Sequence, residues 1–192
     1  MDRHTAQRLA IGGMVGPVAF VATWALAGSA TPGYSPVNDA ISDLAATHAP
    51  TRVAMTLGFV AFSAGVIPFG FALRAARAGP AWIPAVATAG FTLAVAATPL
   101  GAPVRDGIHG TFASLGYVTL VAVPVLASRE LARAGRPGWV RYSRATAVLA
   151  GSCLLASTLG PFHGLFQRVG LTIGDVWLVA VASQLVLTRE MF

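Results

Sequence analysis

The sequence predicts an all-α protein: a six-helix transmembrane bundle with a short amphipathic helix in the first outer loop. Hydrophobic residues make up 55% of the 192 residues and charged residues only 10%, against about 25% charged in a typical soluble domain. The mean hydropathy is +0.69. A soluble protein needs a charged surface that this chain cannot supply, whereas lipid tolerates such a composition. We expect a single integral membrane domain over residues 1–192.

Six apolar runs are long enough, or nearly so, to cross a hydrocarbon core, which takes about 20 residues of helix. The first five contain no Asp, Glu or Arg, and the sixth contains Asp175. Gly160 and Pro161 are expected to end the fifth run. The predicted helices cover residues 9–29, 53–73, 82–100, 108–128, 145–162 and 169–187.

The arginines are distributed unequally between the two sides of this predicted bundle. The richer side carries the termini, so the positive-inside rule places both termini in the cytoplasm of a bacterial plasma membrane. Because these charges sit in short links between apolar runs, we assign them to topology and expect no nucleic-acid partner. The inner side has Arg3, Arg8, Arg74, Arg77, Arg129, Arg133, Arg136, Arg141, Arg144 and Arg189, and the outer side has Arg52, Arg105 and Arg168.

The first run also has features of a cleavable signal peptide, because Ala25-Leu26-Ala27 has the form of a cleavage site. The run is long for a signal sequence and contains Pro17, which favours a retained helix. Gly12 and Gly16, four residues apart, would let two helices approach closely in lipid. The single cysteine, Cys153, excludes an intrachain disulfide.

The first outer link, residues 30–50, is the longest and is polar. Ser35 followed by Pro36 is typical of an N-cap and a first-turn proline, which predicts a helix over residues 36–46. Its apolar face would hold Val37, Ile41 and Leu44, and its polar face Asn38, Asp39, Ser42 and Asp43. The two carboxylates, one turn apart, form either a solvated face or a paired acid site.

Three of the four histidines, His48, His109 and His163, fall on the outer side near predicted helix ends. The amphipathic imidazole suits the membrane interface, and its neutral form also suits general acid–base catalysis. No His-x-x-x-His or His-x-x-Glu pair supplies the local spacing of a zinc site. A divalent metal would therefore depend wholly on tertiary convergence, and the cofactor stays open.

Asp175 lies about one and a half turns into the sixth predicted helix. An ionisable group there costs roughly 1–3 kcal/mol unless it meets a partner or water. We therefore expect its carboxylate to point into the bundle and to pair with Arg105 or His109. A structural ion pair and a functional site both agree with this pattern.

The outer side thus holds the candidate site residues, and two classes of function remain. One is a membrane-embedded enzyme or binding protein for a lipid or isoprenoid. The other is a non-catalytic accessory or structural subunit, or a small transporter component. Charges near the predicted helix ends disfavour transport, because transporters carry polar groups near the midplane. The catalytic candidates are Asp39, Asp43, His109, His163 and Asp175, and the ligand-binding candidates are Tyr34, Asn38, Arg105, Gln167 and Arg168.

Several segments resemble one family along nearly the whole chain. They are residues 16–20, 32–44, 58–59, 109–110 and 164–168, together with Trp177. The chain is similar to the domain-of-unknown-function family 998, which consists of small bacterial membrane proteins. The segment from Pro32 to Leu44 is the most specific part, and Ala45 stands where the family pattern has Gly. The resemblance implies architecture and location but no reaction. Membrane lipids are the expected partners, while a protein partner and a homo-oligomer stay open.

Overall fold

The computed structural model describes residues 3–187 and 191–192. Arg189 and the side chain of Arg3, both used in the predicted orientation, lie outside the described residues. Within the described part of the chain the fold is all-helical, and the predicted six-helix bundle is confirmed. The helices are α1 (Arg3–Ser29), α2 (Arg52–Ala75), α3 (Trp82–Ala97), α4 (Pro103–Arg133), α5 (Pro137–Ala156) and α6 (His163–Leu187).

The helices form a closed ring. Each packs against the next in sequence, and α1 also packs against α6. Short connections make consecutive helices antiparallel, so the links gather at two ends. We call the end with both termini and residues 76–81 and 134–136 the terminal end, and the end with residues 30–51, 98–102 and 157–162 the loop end.

The surface of this bundle is apolar. Helices α1, α2, α4 and α6, and α3 with its preceding turn, are long and apolar enough to cross a membrane. Large side chains such as Leu26, Val53 and Leu187 are at least 70% exposed, which suits contact with lipid. The chain is therefore a membrane-embedded protein. Helix α5 is less apolar because its first half carries Arg141 and Arg144.

Several helices extend beyond the apolar runs that predicted them. Helix α4 begins at Pro103, five residues earlier than residue 108, because proline suits a first helical turn. The Asp106 carboxylate then accepts hydrogen bonds from the N–H groups of Gly101 (2.8 Å) and Ala102 (3.2 Å). Helix α5 likewise begins at Pro137 and ends at Ala156, not over residues 145–162.

The predicted helix over residues 36–46 is wrong in extent. The structure has a turn over residues 35–39 and then a short 3₁₀ helix, η1, over Ile41–Ala45. The Asp43 carboxylate contributes to the break, because it takes the Ala40 N–H that a continuous helix would use. Asp39 Oδ2 accepts from Ser35 N–H at 2.7 Å, and Asp43 Oδ2 accepts from Ala40 N–H at 2.8 Å.

The contact between α1 and α2 depends on glycine. A Cβ atom on Gly16 would lie 2.8 Å from the Phe62 carbonyl oxygen, and one on Gly12 would overlap the Gly65 carbonyl. Both distances are too short for a side chain, so the backbones touch directly. The close approach predicted from the spacing of Gly12 and Gly16 is confirmed.

Candidate functional site

Residues 34–46, which we call the cap segment, lie across the loop end of the bundle. Its η1 turn packs against α1, α2 and α6. Ile41 and Leu44 are each 1% exposed, as the pattern predicts, whereas Val37 is 38% exposed. Burying these apolar side chains anchors the middle of the cap segment to the helices.

Arg168 of α6 fastens the first half of the cap segment. Its side chain is buried, and its charge faces carbonyl dipoles and aromatic rings instead of a carboxylate. The guanidinium carbon lies 5.4 Å from the ring centre of Trp24 and 5.3 Å from that of Tyr34, within cation–π range. The hydrogen-bond acceptors are the carbonyls of Pro36 (2.8 Å), Asp39 (2.8 Å) and Gly164 (2.9 Å), and the Tyr34 hydroxyl.

Tyr34 extends this network to the start of η1. Its hydroxyl donates to the Ala40 carbonyl at 2.9 Å. Burial raises the pKa of Tyr34 to about 12, although the neighbouring Arg168 charge opposes the rise. The phenol therefore stays neutral near pH 7, and its hydroxyl connects Arg168 to the Ala40 carbonyl of the cap.

Gln167, beside Arg168, joins the cap segment to α4. Its Oε1 accepts from the Ile41 N–H at 2.8 Å, and its Nε2 donates to the Tyr117 hydroxyl at 2.5 Å. The side chain is buried, so both ends of the amide have partners where water is scarce. Gln167 and Arg168 thus hold the cap at two neighbouring points.

His109 contacts the cap at a third residue, Ser42. Its Nδ1 lies 2.8 Å from the Thr98 carbonyl and its Nε2 lies 2.8 Å from the Ser42 hydroxyl. A carbonyl only accepts, so Nδ1 carries the hydrogen, and in the neutral ring Nε2 accepts from Ser42. Helix α4 begins before residue 108, which places His109 inside the helix and buries it.

The other outer candidates do not gather at one point. Asp39 and Asp43 each serve their own turn, and Asn38 Nδ2 donates to the Ser35 hydroxyl at 3.2 Å. His163 is the exposed first residue of α6, and Arg105 Nε is buried without a hydrogen-bond partner. Within residues 3–187 and 191–192 there is no group of three His, Cys, Asp or Glu placed to hold a metal.

Asp175 differs from all of these residues. It lies at the middle of the 25-residue α6, deeper than predicted because the helix begins at His163 instead of residue 169. Its side chain is 3% exposed, and its Oδ2 has no hydrogen-bond partner. The predicted pairing with Arg105 or His109 is wrong, since the ion pair found among the described residues is that of Arg133 with Glu130.

Asp175 lines a cavity of about 60 Å³ enclosed by α1, α2, α3, α4 and α6 beneath the cap segment. Such a volume holds roughly four or five water molecules. Its walls are mostly apolar and include six aromatic residues, and Ile41 and Ser42 of the cap contribute to its lining. The aromatic residues are Phe20, Phe59, Phe62, Phe91, Phe112 and Tyr117, and the polar ones are Ser42, Thr88, Thr92, Gln167 and Asp175.

The sequence profile of one family, described as protein of unknown function (DUF998), matches residues 14–184. The chain belongs to the DUF998 family. This confirms the resemblance found in the sequence, and the matched range includes the cap segment and every residue that lines the cavity. Searches of curated proteins and of solved structures give no significant match.

Several hydroxyl and amide hydrogens around the cavity of this DUF998 protein already have acceptors. Thr88 donates to the Pro84 carbonyl at 2.8 Å, and Thr92 donates to the Thr88 carbonyl at 2.9 Å. Ser42 and Gln167 donate to His109 and Tyr117, as described above. The Tyr117 hydroxyl keeps its own hydrogen. The cavity therefore presents aromatic rings, the Asp175 carboxyl and few free donors, among them the Tyr117 hydroxyl.

Sequence reasoning found Asp175 and Gln167 but missed the aromatic walls. Phe59 and Phe62 are three residues apart on α2, a spacing that places them on one face and could have been noticed. The other rings come from α1, α3 and α4, and no local pattern links them. Tyr117 was the other indication of the cavity, because it places a hydroxyl group in the middle of an apolar run.

Proposed function

We propose that this DUF998 protein binds a lipid or isoprenoid by enclosing a short apolar segment with one polar group in the central cavity. The observation that carries the proposal is a buried carboxyl without a partner, facing a cavity walled by aromatic rings. Ligand sites in proteins combine mostly apolar walls with a few placed polar groups. The cavity has this composition.

We place the ligand's polar contacts in the middle of the bundle and not among the candidate residues at the loop end. Tyr34, Asp39, His109 and the two terminal nitrogens of Arg168 make their hydrogen bonds to the cap or its neighbours. Asp175 does not, and an ionisable residue inside a membrane helix marks a functional site by default. We therefore assign ligand recognition to Asp175. We assign the closing of the cavity to the loop-end residues that hold the cap segment, Tyr34, His109 and Arg168.

A transporter component is the second candidate, and the position of Asp175 favours it. The sequence placed every charge near a helix end, which disfavoured transport. In the structure Asp175 stands at mid-helix beside a cavity, where proton- and substrate-coupling carboxylates of transporters are found. Transport would require the cavity to open toward each end in turn, whereas binding alone would not.

The proposal can be tested with 3-methylbut-2-en-1-ol, a small isoprenoid alcohol. Saturation-transfer NMR on the purified protein in detergent should show binding of this probe. Ala113→Met, which fills the cavity from α4, should abolish the transfer. Val118→Met, on a residue of the same helix that is 66% exposed, is the matched control and should preserve it. Equal transfer to both variants would place the probe elsewhere and refute the proposal.

We also propose a bacterial plasma-membrane location with the terminal end facing the cytoplasm. The terminal end holds Arg74, Arg77, Arg129, Arg133 and Arg136, whereas Arg52, Arg105 and Arg168 lie toward the loop end. Reporter fusions after Arg77 and Arg136 should therefore give cytoplasmic signals. A fusion after Thr47 should give an exterior signal, and a cytoplasmic signal there would reverse the orientation.

A further inference from the structure

We infer that the polar group enclosed in the cavity is a protonated amine, so that the ligand is a lipophilic amine whose ammonium group faces Asp175. This inference rests on the proposed binding function and names the chemical class of the ligand. It follows from three features of the cavity: its hydrogen-bonding inventory, its uncompensated charge and its aromatic walls.

The hydrogen-bonding groups around the cavity favour a ligand that brings its own hydrogens. The Thr92 hydroxyl donates to a backbone carbonyl, the Thr88 hydroxyl donates to a backbone carbonyl or to the Thr119 hydroxyl, and Gln167 donates one amide hydrogen to Tyr117 and accepts from the Ile41 N–H. Asp175 Oδ2 is left as an acceptor with no donor. An ammonium group has up to three N–H donors and no acceptor, so it complements this set.

An ionised carboxyl in this site would need a cation. A carboxylate removed from water is costly unless an opposite charge or hydrogen bonds compensate it. Arg168 stands two turns away on α6, but its guanidinium donates to the cap carbonyls and to Tyr34. Among residues 3–187 and 191–192, no arginine or histidine nitrogen lies within ion-pair distance of Asp175. Beside a neutral alcohol the carboxyl would stay protonated, whereas an ammonium ion would balance the ionised form.

The walls supply a second source of cation affinity. Phe20 lies with its ring centre 5.7 Å from that of Phe59 and 5.5 Å from that of Phe62, and Phe91 lies 6.3 Å from Phe112. These two ring clusters, on α1–α2 and on α3–α4, both line the cavity. Aromatic faces carry negative potential and attract cations, most strongly where water is excluded.

A matched pair of probes tests the inference. The amine 3-methylbut-2-en-1-amine has the carbon skeleton of 3-methylbut-2-en-1-ol and is protonated at pH 7. We expect the wild-type protein to bind the amine at least roughly tenfold more tightly than the alcohol. Asp175→Asn should remove this preference by weakening amine binding alone. Glu130→Gln removes the same charge at the terminal end and should keep the preference.

The outcomes separate this inference from the proposed function. Equal affinity for both probes, unchanged by Asp175→Asn, overturns the ammonium assignment and leaves the binding function intact. If neither probe binds, or if binding survives Ala113→Met, the binding function is overturned as well. Asp175→Glu keeps the carboxylate and should retain the preference for the amine, which separates the role of charge from any general effect of substitution at this position.

Discussion

Helix α6 carries two buried ionisable residues on one face, and they have opposite surroundings. Arg168, at the loop end, is 6% exposed; its two terminal nitrogens have four hydrogen-bond acceptors and two aromatic rings lie around its guanidinium, and only its Nε lacks a partner. Asp175, two turns further, is 3% exposed, and its Oδ2 has no partner. Similar burial therefore has two different consequences within one helix.

The difference separates a structural charge from a functional one. A buried charge with well-placed partners holds elements together, and its removal leaves those partners unsatisfied. A buried charge without partners lowers stability, so its presence indicates a role outside folding. Arg168 belongs to the first kind, because it secures the cap segment. Asp175 belongs to the second kind. The four experiments below test this contrast.

The largest effect is expected from Arg168→Ala. The substitution leaves the buried carbonyls of the cap without donors and should lower the free energy of unfolding by about 3–5 kcal/mol. For a chain of this size that loss lowers the thermal midpoint by roughly 10 °C, which can be measured in detergent. Arg129→Ala, on an exposed residue, is the control and should have little effect. Equal midpoints for the two variants would contradict the structural role of Arg168.

Gly164→Ala tests how closely α6 approaches the cap. A Cβ atom there would lie 2.9 Å from the Pro36 carbonyl oxygen and would overlap that of Asp39. Displacing the cap should cost about 1–3 kcal/mol, which exceeds the gain of up to ~1 kcal/mol from alanine's helix propensity. Gly110→Ala, also helical but facing open space, should be neutral or stabilising. Limited proteolysis within residues 30–51 should show the difference, and equal cleavage would contradict the close packing.

High pH should weaken the cap through Tyr34. Its pKa rises from 10.0 to about 12 on folding, so the neutral phenol is favoured in the folded state. The resulting stability is fully present below pH 10 and is lost as the pH rises toward 12. The effect should be smaller than that of Gly164→Ala because Tyr34 is only half-buried. Unfolding midpoints between pH 9 and 12 should fall less steeply for Tyr34→Phe, and parallel curves would assign the alkaline loss to other groups.

The smallest effect on stability is expected from Asp175→Asn, and the sign of the stability change is the most informative result. The carboxylate has no partner to lose, and an amide is easier to bury than a charge. The thermal midpoint should therefore stay unchanged or rise by the equivalent of at most ~1 kcal/mol. Asp175→Leu should raise it further by making the site apolar. A clear fall for both variants would show that Asp175 is structural, which would remove the contrast with Arg168.

Periodicity and composition were enough to predict the bundle. The number of helices and the approximate spans follow from apolar runs of membrane length, because every backbone group in lipid must be satisfied within a helix. Helix ends were less well predicted, since residues such as Pro103 and His163 begin a helix outside the apolar run. This shift changed the interpretation of Asp175 from a group near a helix end to one at mid-helix.

The sequence by itself determined that Asp175 must face protein, that Gly12 and Gly16 permit a close contact, and that the first loop buries Ile41 and Leu44. Each of these follows from residue type and helical spacing. Only the tertiary structure decided which polar groups become partners. In it Arg168 bonds the cap segment, whereas Asp175 faces a cavity lined in part by aromatic rings. Partner choice depends on distances between helices that are far apart in sequence, and no local pattern encodes those distances.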